Sequence, residues 1–321
     1  MPSVTAVVCT HDRVGLVGRA VEGAVAEART VDGDVLVVDN ASSDGTPALL
    51  ADLARRHGPL IRVAREARLG LSAARNRALA EAHGEIVAFL DDDAIPRAGW
   101  LAALVAPYRD PRVVCAGGRI RLHFPDPPPP WLGPALHGAF SAFDLGDEPR
   151  RLRYGRDDYP YGANISFRAA RARAAGGFCT SLGVSGRVEL LHEEIDLCYR
   201  LERDGGEIVY APDAVVDHWV LAERVSPARL LRRYALGGRS AALFVLRNRG
   251  LARAVWRVWW LYARDLVAAP YAPRDPIDPG RLARECRRRE ALGYVAGLAR
   301  ALPRARALRR DALQPATGTY G

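Results

Sequence analysis

The feature that most limits how this chain can fold is an alternation of two kinds of segment over roughly its first 90 residues. Short apolar runs rich in β-branched side chains occur at residues 4–9, 34–38, 61–64 and 86–90. Between them, residues 14–28, 47–57 and 71–83 carry apolar side chains at helical spacing. Strands that alternate with helices in this way are typical of a parallel, doubly wound sheet. The sequence therefore predicts an α/β fold in which helices flank a mainly parallel sheet.

Polar side chains follow three of these predicted strands, at the point where each strand ends. They are Thr10, His11, Asp12 and Arg13 after the first strand, Asp39 and Asn40 after the second, and Asp91, Asp92 and Asp93 after the fourth. Ligands of such sheets bind beyond the carboxyl ends of the strands. We therefore expect the three polar segments to meet in one crevice.

The triplet Asp91, Asp92 and Asp93 follows an apolar strand directly, and Pro96 then stops the run. Carboxylates this close repel one another, so a buried triplet needs a counter-charge. A divalent cation with hard oxygen ligands, Mg²⁺ or Mn²⁺, supplies one and would in turn hold the diphosphate of a nucleotide. The alternative is a solvated acidic turn.

Length and charge set the wider limits. The chain has 321 residues, enough for one large domain or a domain with an extension, and a net charge of +9. It contains no lysine, so all 46 of its cations are arginine, and this excess favours anionic partners. The five cysteines show no metal-ligand spacing, which fits reduced thiols. Without a signal-like segment or an apolar run of about 20 residues, we expect a cytoplasmic protein.

The C-terminal part, residues 225–321, differs in composition from residues 1–224. It is rich in arginine and helical in pattern, and residues 254–269 interleave aromatic and cationic side chains: Trp256, Trp259, Trp260 and Tyr262 with Arg253, Arg257 and Arg264. This pattern is typical of a helix lying in a membrane interface, where rings sit at the headgroups and guanidinium groups meet lipid phosphate. The alternative is packing onto the rest of the chain or onto a second subunit. Residues 227–300 are therefore predicted to contact an anionic membrane surface or to self-associate.

Seven segments, taken in order, resemble a known family. They are V-V-C-T-H-D-R, V-V-D-N-A-S-S-D-G-T, G-L-S-A-A-R-N, F-L-D-D-D-A-I-P, G-A-N-I-S-F-R, E-E-I-D-L-C-Y-R-L and A-P-D-A-V-V-D-H. Together they resemble the inverting family 2 glycosyltransferases of GT-A fold, over roughly residues 2–220. The resemblance implies a Rossmann-like catalytic domain, with residues 1–98 binding a nucleotide-sugar and residues 99–224 facing the acceptor. It implies transfer of a hexosyl or deoxyhexosyl group to an acceptor hydroxyl of a glycan, a lipid-linked sugar or a natural product.

The resemblance also implies which residues bind the nucleotide-sugar donor. They are Thr10, His11, Asp12, Arg13, Asp39, Arg68, Asn76, Asp91, Asp92, Gly162 and Asn164, with Arg75 and Ala163 beside them. His11 and Asp12 stand where the family usually has Tyr-Asn. Asp39 has the alternative of capping its own turn, and Asn76 that of capping a loop.

For the metal, Mg²⁺ or Mn²⁺, the resemblance implies the ligands Asp93, Asp91 and His218, although a lone histidine after a strand is often structural. It places the catalytic base at Glu194, with Glu193 and Asp196 as rivals. These acids have the alternative role of favouring a helix N-terminus. His192 is expected near the acceptor.

Two other functions, that of a nucleotidyltransferase and that of a nucleic-acid binder, predict different sequence features. A nucleotidyltransferase would carry a glycine-rich basic loop after its first strand, which T-H-D-R is not. A nucleic-acid binder would place its arginines with exposed aromatic residues over the sheet, whereas here the excess lies in the C-terminal helices, so no nucleic acid is expected. We expect a metal-dependent cytoplasmic enzyme, with membrane contact at the inner face if the extension provides it.

Overall fold

The first half of the chain forms the predicted alternation of strands and helices. The computed structural model describes residues 2–185, 188–266, 270–274 and 276–313. Its strands are β1 (Val4–Thr10), β2 (Gly33–Asp39), β3 (Ile61–Arg65), β4 (Ile86–Asp91), β5 (Ala94–Pro96), β6 (Val113–His123), β7 (Arg150–Leu152), β8 (Asn164–Arg168), β9 (Val184–Ser185), β10 (Val188–Glu189) and β11 (Glu207–Trp219). Its helices are α1 (Val17–Ala28), α2 (Thr46–His57), α3 (Leu71–Glu81), α4 (Trp100–Val105), α5 (Ala169–Ala174), α6 (Glu193–Arg203), α7 (Pro227–Arg249), α8 (Leu251–Leu261), α9 (Pro279–Ala301) and α10 (Ala305–Leu313).

The main sheet is mixed, and its strands lie in the order β3-β2-β1-β4-β8-β6-β11-β5, with β7 paired to β11. The strands β3, β2, β1 and β4 are parallel neighbours, as the alternation predicts. Strand β8 then lies antiparallel to both β4 and β6, and β11 is again parallel to β6. The predicted fold class, a mixed and mainly parallel sheet, is confirmed.

The register of the parallel strands brings their carboxyl ends to one edge of the sheet. Thr10 at the end of β1 pairs with Asp39 of β2, and Cys9 pairs with Asp91 of β4. The strands themselves are held in the core, where Leu36 and Ile86 are fully buried. The polar segments that follow β1, β2 and β4 therefore leave the sheet at the same edge.

Two predicted strands differ from the observed ones. Residues 161–168 were expected to form one strand, but β8 begins only at Asn164. Residues 207–211 and 214–216 were expected to form separate strands, but they belong to the single strand β11, whose register slips between Ala211 and Val215. This bulge lets β11 continue to His218 at the same edge of the sheet.

The C-terminal helices pack on residues 1–224 and on each other. Helices α7 and α9 lie so close that a Cβ on Gly238 would be 1.9 Å from the carbonyl oxygen of Glu290. Phe244 of α7 packs against Tyr154 and Tyr199, with ring centroids 5.4 and 5.5 Å apart. Helix α7, which precedes the aromatic segment at residues 254–269, thus packs onto the rest of the chain.

Helix α8 differs, because its tryptophan side chains are exposed and do not dock onto residues 1–224. Trp256 is 62% exposed and Trp259 is 77% exposed. The guanidinium of Arg264 lies 4.1 Å from the ring centroid of Trp260. Residues 267–269 of the predicted aromatic segment, and the side chain of Tyr262, lie outside the described residues. Among the helices that the structure describes, none is long and apolar enough to span a membrane.

Candidate active site

A cleft of about 360 Å³ opens at the edge where the parallel strands end. It is lined by Thr10, His11 and Arg13 after β1, Asp91, Asp92 and Asp93 after β4, Gly162 before β8, Glu193 and Glu194 of α6, His218 of β11, and Arg224 and Arg233. Side chains remote in sequence therefore share one site.

Three of these side chains form a group with the chemistry of a metal site. Asp91, Asp93 and His218 each offer a ligand atom, and the three atoms lie within 4.8 Å of one another. The Nε2 atom of His218 is 2.9 Å from Oδ1 of Asp93, and a guanidinium nitrogen of Arg224 is 2.5 Å from Oδ2. Although burial opposes ionisation, the contacts with His218 and Arg224 lower the pKa of Asp93 well below its usual range.

The orientation of His218 tests whether the group fits a cation. Its Nδ1 atom is 2.8 Å from the carbonyl oxygen of Phe140, and because a carbonyl only accepts, Nδ1 must donate. In the neutral ring Nε2 then carries a lone pair that points at Oδ1 of Asp93. Two acceptors at 2.9 Å need a cation that both can bind, either a proton on Nε2 or a metal ion. Two carboxylates and an oriented imidazole therefore fit Mg²⁺ or Mn²⁺.

Asp92 turns away from this group. Its carboxylate accepts a hydrogen bond of 2.7 Å from the hydroxyl of Thr10. Burial, and then the charge of Asp93, raise the pKa of Asp92 to about 7. Asp92 therefore links the ends of β4 and β1 rather than joining Asp91 and Asp93.

Arg75 of α3 connects the metal group with the start of α6. It is 2% exposed, and it donates to Glu193 at 2.7 Å and to Asp91 at 3.2 Å. Gly162 makes room for this guanidinium, since a Cβ there would be 2.1 Å from one of its nitrogens. Gly162, which the resemblance places among the donor-binding residues, thus leaves the space that Arg75 occupies.

The two adjacent glutamates have different surroundings. Glu193 is taken by Arg75, while Oε2 of Glu194 is buried and has no hydrogen-bond partner among the described residues. Burial, and then the charge of Glu194, raise the pKa of Glu193 to about 8, against the opposing effect of Arg75. The partner-free carboxylate of this pair is Glu194.

His192 precedes these glutamates with a left-handed φ of 78°. Its Nδ1 atom is buried and without a hydrogen-bond partner in the described part of the chain. Burial, followed by the charges of Arg257 and Arg233, lowers the pKa of His192 to about 4. The ring is therefore neutral at pH 7.

Asp196, the third predicted candidate for the base, has a different position. It is fully buried and its carboxylate accepts hydrogen bonds from Arg200 at 2.9 Å, Arg247 at 3.2 Å and Asn248 at 2.7 Å. Because both oxygens are occupied and neither faces the cleft, Asp196 joins α6 to α7 instead of acting as a base.

Two asparagines predicted to bind the donor are occupied by backbone groups. Asn76 donates to the carbonyl of Phe178 at 2.8 Å and accepts from its N–H at 2.7 Å, which is the loop-capping alternative. Asn164 is fully buried, accepts from the indole of Trp100 and donates to the carbonyl of Ala214 in the bulge of β11. Neither amide lines the cleft.

Three further predicted donor contacts also lie outside the cleft lining. Asp39 is 4% exposed and accepts the backbone N–H of Ser42 at 3.1 Å, which is the turn-capping alternative. Asp12 accepts the N–H of Ser43 at 2.7 Å, and Arg68 lines a neighbouring pocket. The polar edge is thus shared between residues that face the cleft and residues that hold its loops.

The cleft is also lined by Asn40, which was expected in the crevice, and by two arginines that were not predicted. Asn40 holds the loop before α3, because its amide donates to the carbonyl of Arg68 at 2.8 Å and accepts from Gly70 at 2.7 Å. Arg224 reaches the cleft from the segment between β11 and α7, and Arg233 reaches it from α7. Their only sequence signal was the arginine excess of the C-terminal part, which does not say which arginines turn inward.

Comparisons with known proteins agree with this geometry. The family model for glycosyl transferase family 2 matches residues 5–173. A pre-mycofactocin glycosyltransferase from Mycobacterium tuberculosis is 34% identical over 222 residues, which is 67% of this chain and 43% of that protein. The chain therefore spans less than half the length of this relative.

Two solved structures share the fold. One is a mannosyltransferase from Pyrobaculum calidifontis in complex with GDP-Man and Mn²⁺, with a TM-score of 0.56, 22% identity and coverage of 97% of this chain and 79% of that one. The other is GalNAc-T7 with UDP, GalNAc and Mn²⁺, with a TM-score of 0.60, 17% identity and coverage of 95% and 58%. At these identities the likeness concerns the fold alone, and it confirms the predicted GT-A architecture. With the family model matching more than half of its residues, the chain belongs to glycosyl transferase family 2.

Proposed function

We propose that this protein is a metal-dependent, inverting glycosyltransferase that moves a sugar from a nucleotide-diphosphate sugar to an acceptor hydroxyl. One observation carries the proposal. Glu194 presents a buried carboxylate oxygen, without a hydrogen-bond partner in the part of the chain that the structure describes, to the same cleft that holds Asp91, Asp93 and His218. A base and a cation site in one cleft are what a single displacement at an anomeric carbon requires.

The charges around the cleft support a diphosphate donor. Arg13, Arg224 and Arg233 line it beside the acidic group. Burial, and then the charge of Arg224, lower the pKa of Arg233, which has no hydrogen bond or ion pair within the described ranges. A phosphate would give this guanidinium its counter-charge. Asp91, Asp93 and His218 would hold the metal, which when bound neutralises charge on the departing diphosphate.

In the proposed reaction, the sugar moves from the diphosphate to the acceptor in one displacement. The acceptor oxygen forms a bond to the anomeric carbon as the bond from that carbon to the diphosphate oxygen breaks. Glu194 takes the acceptor proton, and the nucleoside diphosphate leaves with the bonding electrons. Because one displacement occurs opposite the leaving group, the anomeric configuration inverts. Arg75 donates to both Glu193 and Asp91 and so fixes the position of these two side chains at the cleft.

Nucleotide binding tests the proposal directly. We would follow thermal unfolding with a panel of nucleotide-diphosphate sugars, each with and without Mn²⁺ or Mg²⁺. We expect at least one nucleotide to stabilise the protein only when metal is present. Indifference to every nucleotide, or equal stabilisation with a chelator present, would contradict the proposal.

We also propose that α8 rests on an anionic membrane surface at the cytoplasmic side. Five apolar side chains of this helix are exposed: Leu251, Val255 and Trp259, which are four residues apart, and Trp256 and Trp260, which are also four apart. Exposed arginines, Arg253 and Arg264, accompany them. Such a face is suited to a headgroup region rich in phosphate.

Liposome flotation tests this second part. The protein should float with anionic vesicles in low salt and stay behind with zwitterionic ones. The double variant Trp256→Ala/Trp259→Ala should lose flotation, while Val63→Ala, at a position 41% exposed on β3, should keep it. Failure to float would refute the membrane contact. A concentration-dependent dimer that the Trp variant abolishes would assign the face to self-association instead.

A further inference from the structure

A serine at the active-site cleft has a backbone conformation that serine rarely adopts. Ser141 lines the cleft and is half-buried. It follows a short 3₁₀ helix, Pro134–Phe140, and its φ of 65° and ψ of 22° are left-handed. Helices commonly end on such a residue, but it is usually glycine, because a Cβ makes this conformation unfavourable. A serine here therefore carries a conformational cost that the turn itself does not require.

Left-handed residues that carry a side chain are concentrated around this cleft. Among the described residues, four non-glycine residues have a positive φ: Asp12, Ala41, Ser141 and His192. Asp12, Ala41 and His192 are each next to a residue that lines the cleft, but of the four only Ser141 is itself in the lining. Strained residues of this kind persist where the surrounding structure fixes them, and they cluster at binding and catalytic sites. The strain at Ser141 therefore indicates a role for its side chain in the cleft.

Contacts on both sides hold Ser141 in place. On one side, the carbonyl oxygen of Phe140 accepts the hydrogen bond from Nδ1 of His218 at 2.8 Å. On the other side, Phe143 exchanges two backbone hydrogen bonds with Ile120 of β6, at 2.8 and 3.1 Å. Ser141 directly follows the residue that orients His218, so it is fixed beside the candidate metal group.

The hydroxyl of Ser141 is available to a ligand, because it makes no hydrogen bond within the described ranges. A hydroxyl both donates and accepts, which matches the hydroxyl groups of a sugar. In the proposed reaction the metal group holds the diphosphate, and the sugar bonded to that diphosphate lies between the metal group and Glu194. A hydroxyl beside the metal group, in the same cleft as Glu194, is suited to contact this sugar.

We propose that Ser141 is a specificity-determining residue, and that its hydroxyl forms a hydrogen bond with a hydroxyl group of the sugar that is transferred. This inference rests on the proposed function and extends it to the selection of the donor sugar. A site that forms a hydrogen bond with one substrate hydroxyl rejects analogues that lack this hydroxyl. The turn holds a serine in a conformation suited to glycine because the hydroxyl is used in binding.

Calorimetry in saturating Mn²⁺ tests the inference without turnover. The probes are the nucleotide sugar that stabilises the protein most, from a panel of UDP-, GDP- and dTDP-linked sugars, and its free nucleoside diphosphate. The measured quantity is the ratio of the affinity for the nucleotide sugar to the affinity for the nucleoside diphosphate. Because both ligands share the nucleoside and the diphosphate, this ratio isolates the contribution of the sugar.

Two variants remove the hydroxyl and differ in backbone strain. Ser141→Ala keeps the Cβ, whereas Ser141→Gly adopts the left-handed conformation without a Cβ. The matched control is Ser43→Ala, which removes a serine hydroxyl from an exposed loop residue outside the cleft lining.

We expect both Ser141 variants to lower the affinity ratio by about three- to tenfold, as the loss of one hydrogen bond does, and to bind nucleoside diphosphate within about twofold of the unsubstituted protein. The control should keep the ratio of the unsubstituted protein. An unchanged ratio in either Ser141 variant would overturn the proposal, and a ratio that Ser141→Gly alone keeps would assign the effect to the backbone. An equal loss of affinity for both ligands would also overturn it, since the contact would then not be with the sugar.

The same measurements separate this inference from the proposed function. If a nucleotide sugar binds in the presence of metal and its affinity ratio is the same in the Ser141 variants, the assignment of Ser141 alone is refuted. If no nucleotide sugar of the panel binds the unsubstituted protein in the presence of metal, the proposed function fails, and this inference fails with it.

Discussion

Replacing Glu194 by Gln should abolish catalysis while leaving the fold and donor binding in place. The change keeps the size of the side chain and removes only its ability to take a proton. Loss of a general base lowers the rate by about 10²–10⁴-fold, or about 3–5 kcal/mol of transition-state stabilisation. Because Oε2 of Glu194 has no partner in the described residues, an amide nitrogen there breaks no hydrogen bond, so we expect stability to stay within about 1 kcal/mol.

Glu193→Gln is the matched control, one residue away. Glu193 accepts from Arg75 at 2.7 Å in a contact whose side chains are only 3% and 6% exposed, and replacing one of its two oxygens by an amide NH2 weakens this buried contact. We expect this variant to lose stability, by about 1–3 kcal/mol, and to keep a measurable rate. The two variants should therefore differ in which property they lose.

The assay is release of nucleoside diphosphate from the donor that stabilises the protein, with water as the acceptor, since water needs the same base. Donor affinity is measured separately by calorimetry and unfolding by urea. A Glu194→Gln rate within about threefold of the unsubstituted protein would refute the assignment of the base. So would a Glu193→Gln protein that is as stable as the unsubstituted one but inactive.

Four further predictions can be checked with the same measurements. Asp93→Asn should remove metal-dependent stabilisation by nucleotide, and a nucleotide response that still requires Mn²⁺ would exclude Asp93 as a ligand. Asp196→Ala should lower the free energy of unfolding by about 3–5 kcal/mol in urea, because two buried guanidinium groups lose their shared carboxylate; a loss below about 1 kcal/mol would contradict this. Burial raises the pKa of Glu193 from 4.5 to about 8, so its stabilising contribution is present below pH 4.5 and is lost as the pH rises towards 8. The Tm of the unsubstituted protein should therefore fall relative to that of Glu193→Gln between these pH values. Parallel pH profiles of the two Tm values would contradict this prediction. Gly162→Ala should displace Arg75 and weaken both metal-dependent binding and turnover, whereas unchanged values would show that the guanidinium moves at no cost.

The parallel half of the fold could be predicted because each of its elements carries its own local signal. Before Leu90, the apolar runs and the helical spacing predict the bounds of the strands and helices to within a few residues. The parallel register then places the carboxyl ends of the strands together. The insertion of antiparallel β8 between β4 and β6 has no such signal. It depends on pairing between segments far apart in the chain, which local patterns do not encode.

The site was predictable in residue type more than in role. Asp91, Asp93, Glu194 and His218 do share the cleft. Asn164 does not, because its amide is satisfied by distant groups such as the carbonyl of Ala214. Whether an amide faces a ligand or a backbone carbonyl depends on which remote segment arrives beside it, and the sequence around Asn164 is the same in both cases.

The contact of Asp196 with Arg247 and Asn248 has a consequence for how the C-terminal helices influence the reaction. Asp196 lies in the first turn of α6, only two residues after Glu194. A shift of α7, caused by a ligand that binds between the helices or by contact with a bilayer, would displace Asp196 and with it the first turn of α6, which carries Glu194. A chain cut after residue 224 would lose this tether and leave Asp196 without two of its partners. The terminal helices thus support the turn that carries Glu194, the base of the proposed reaction, and we expect their removal to weaken that turn.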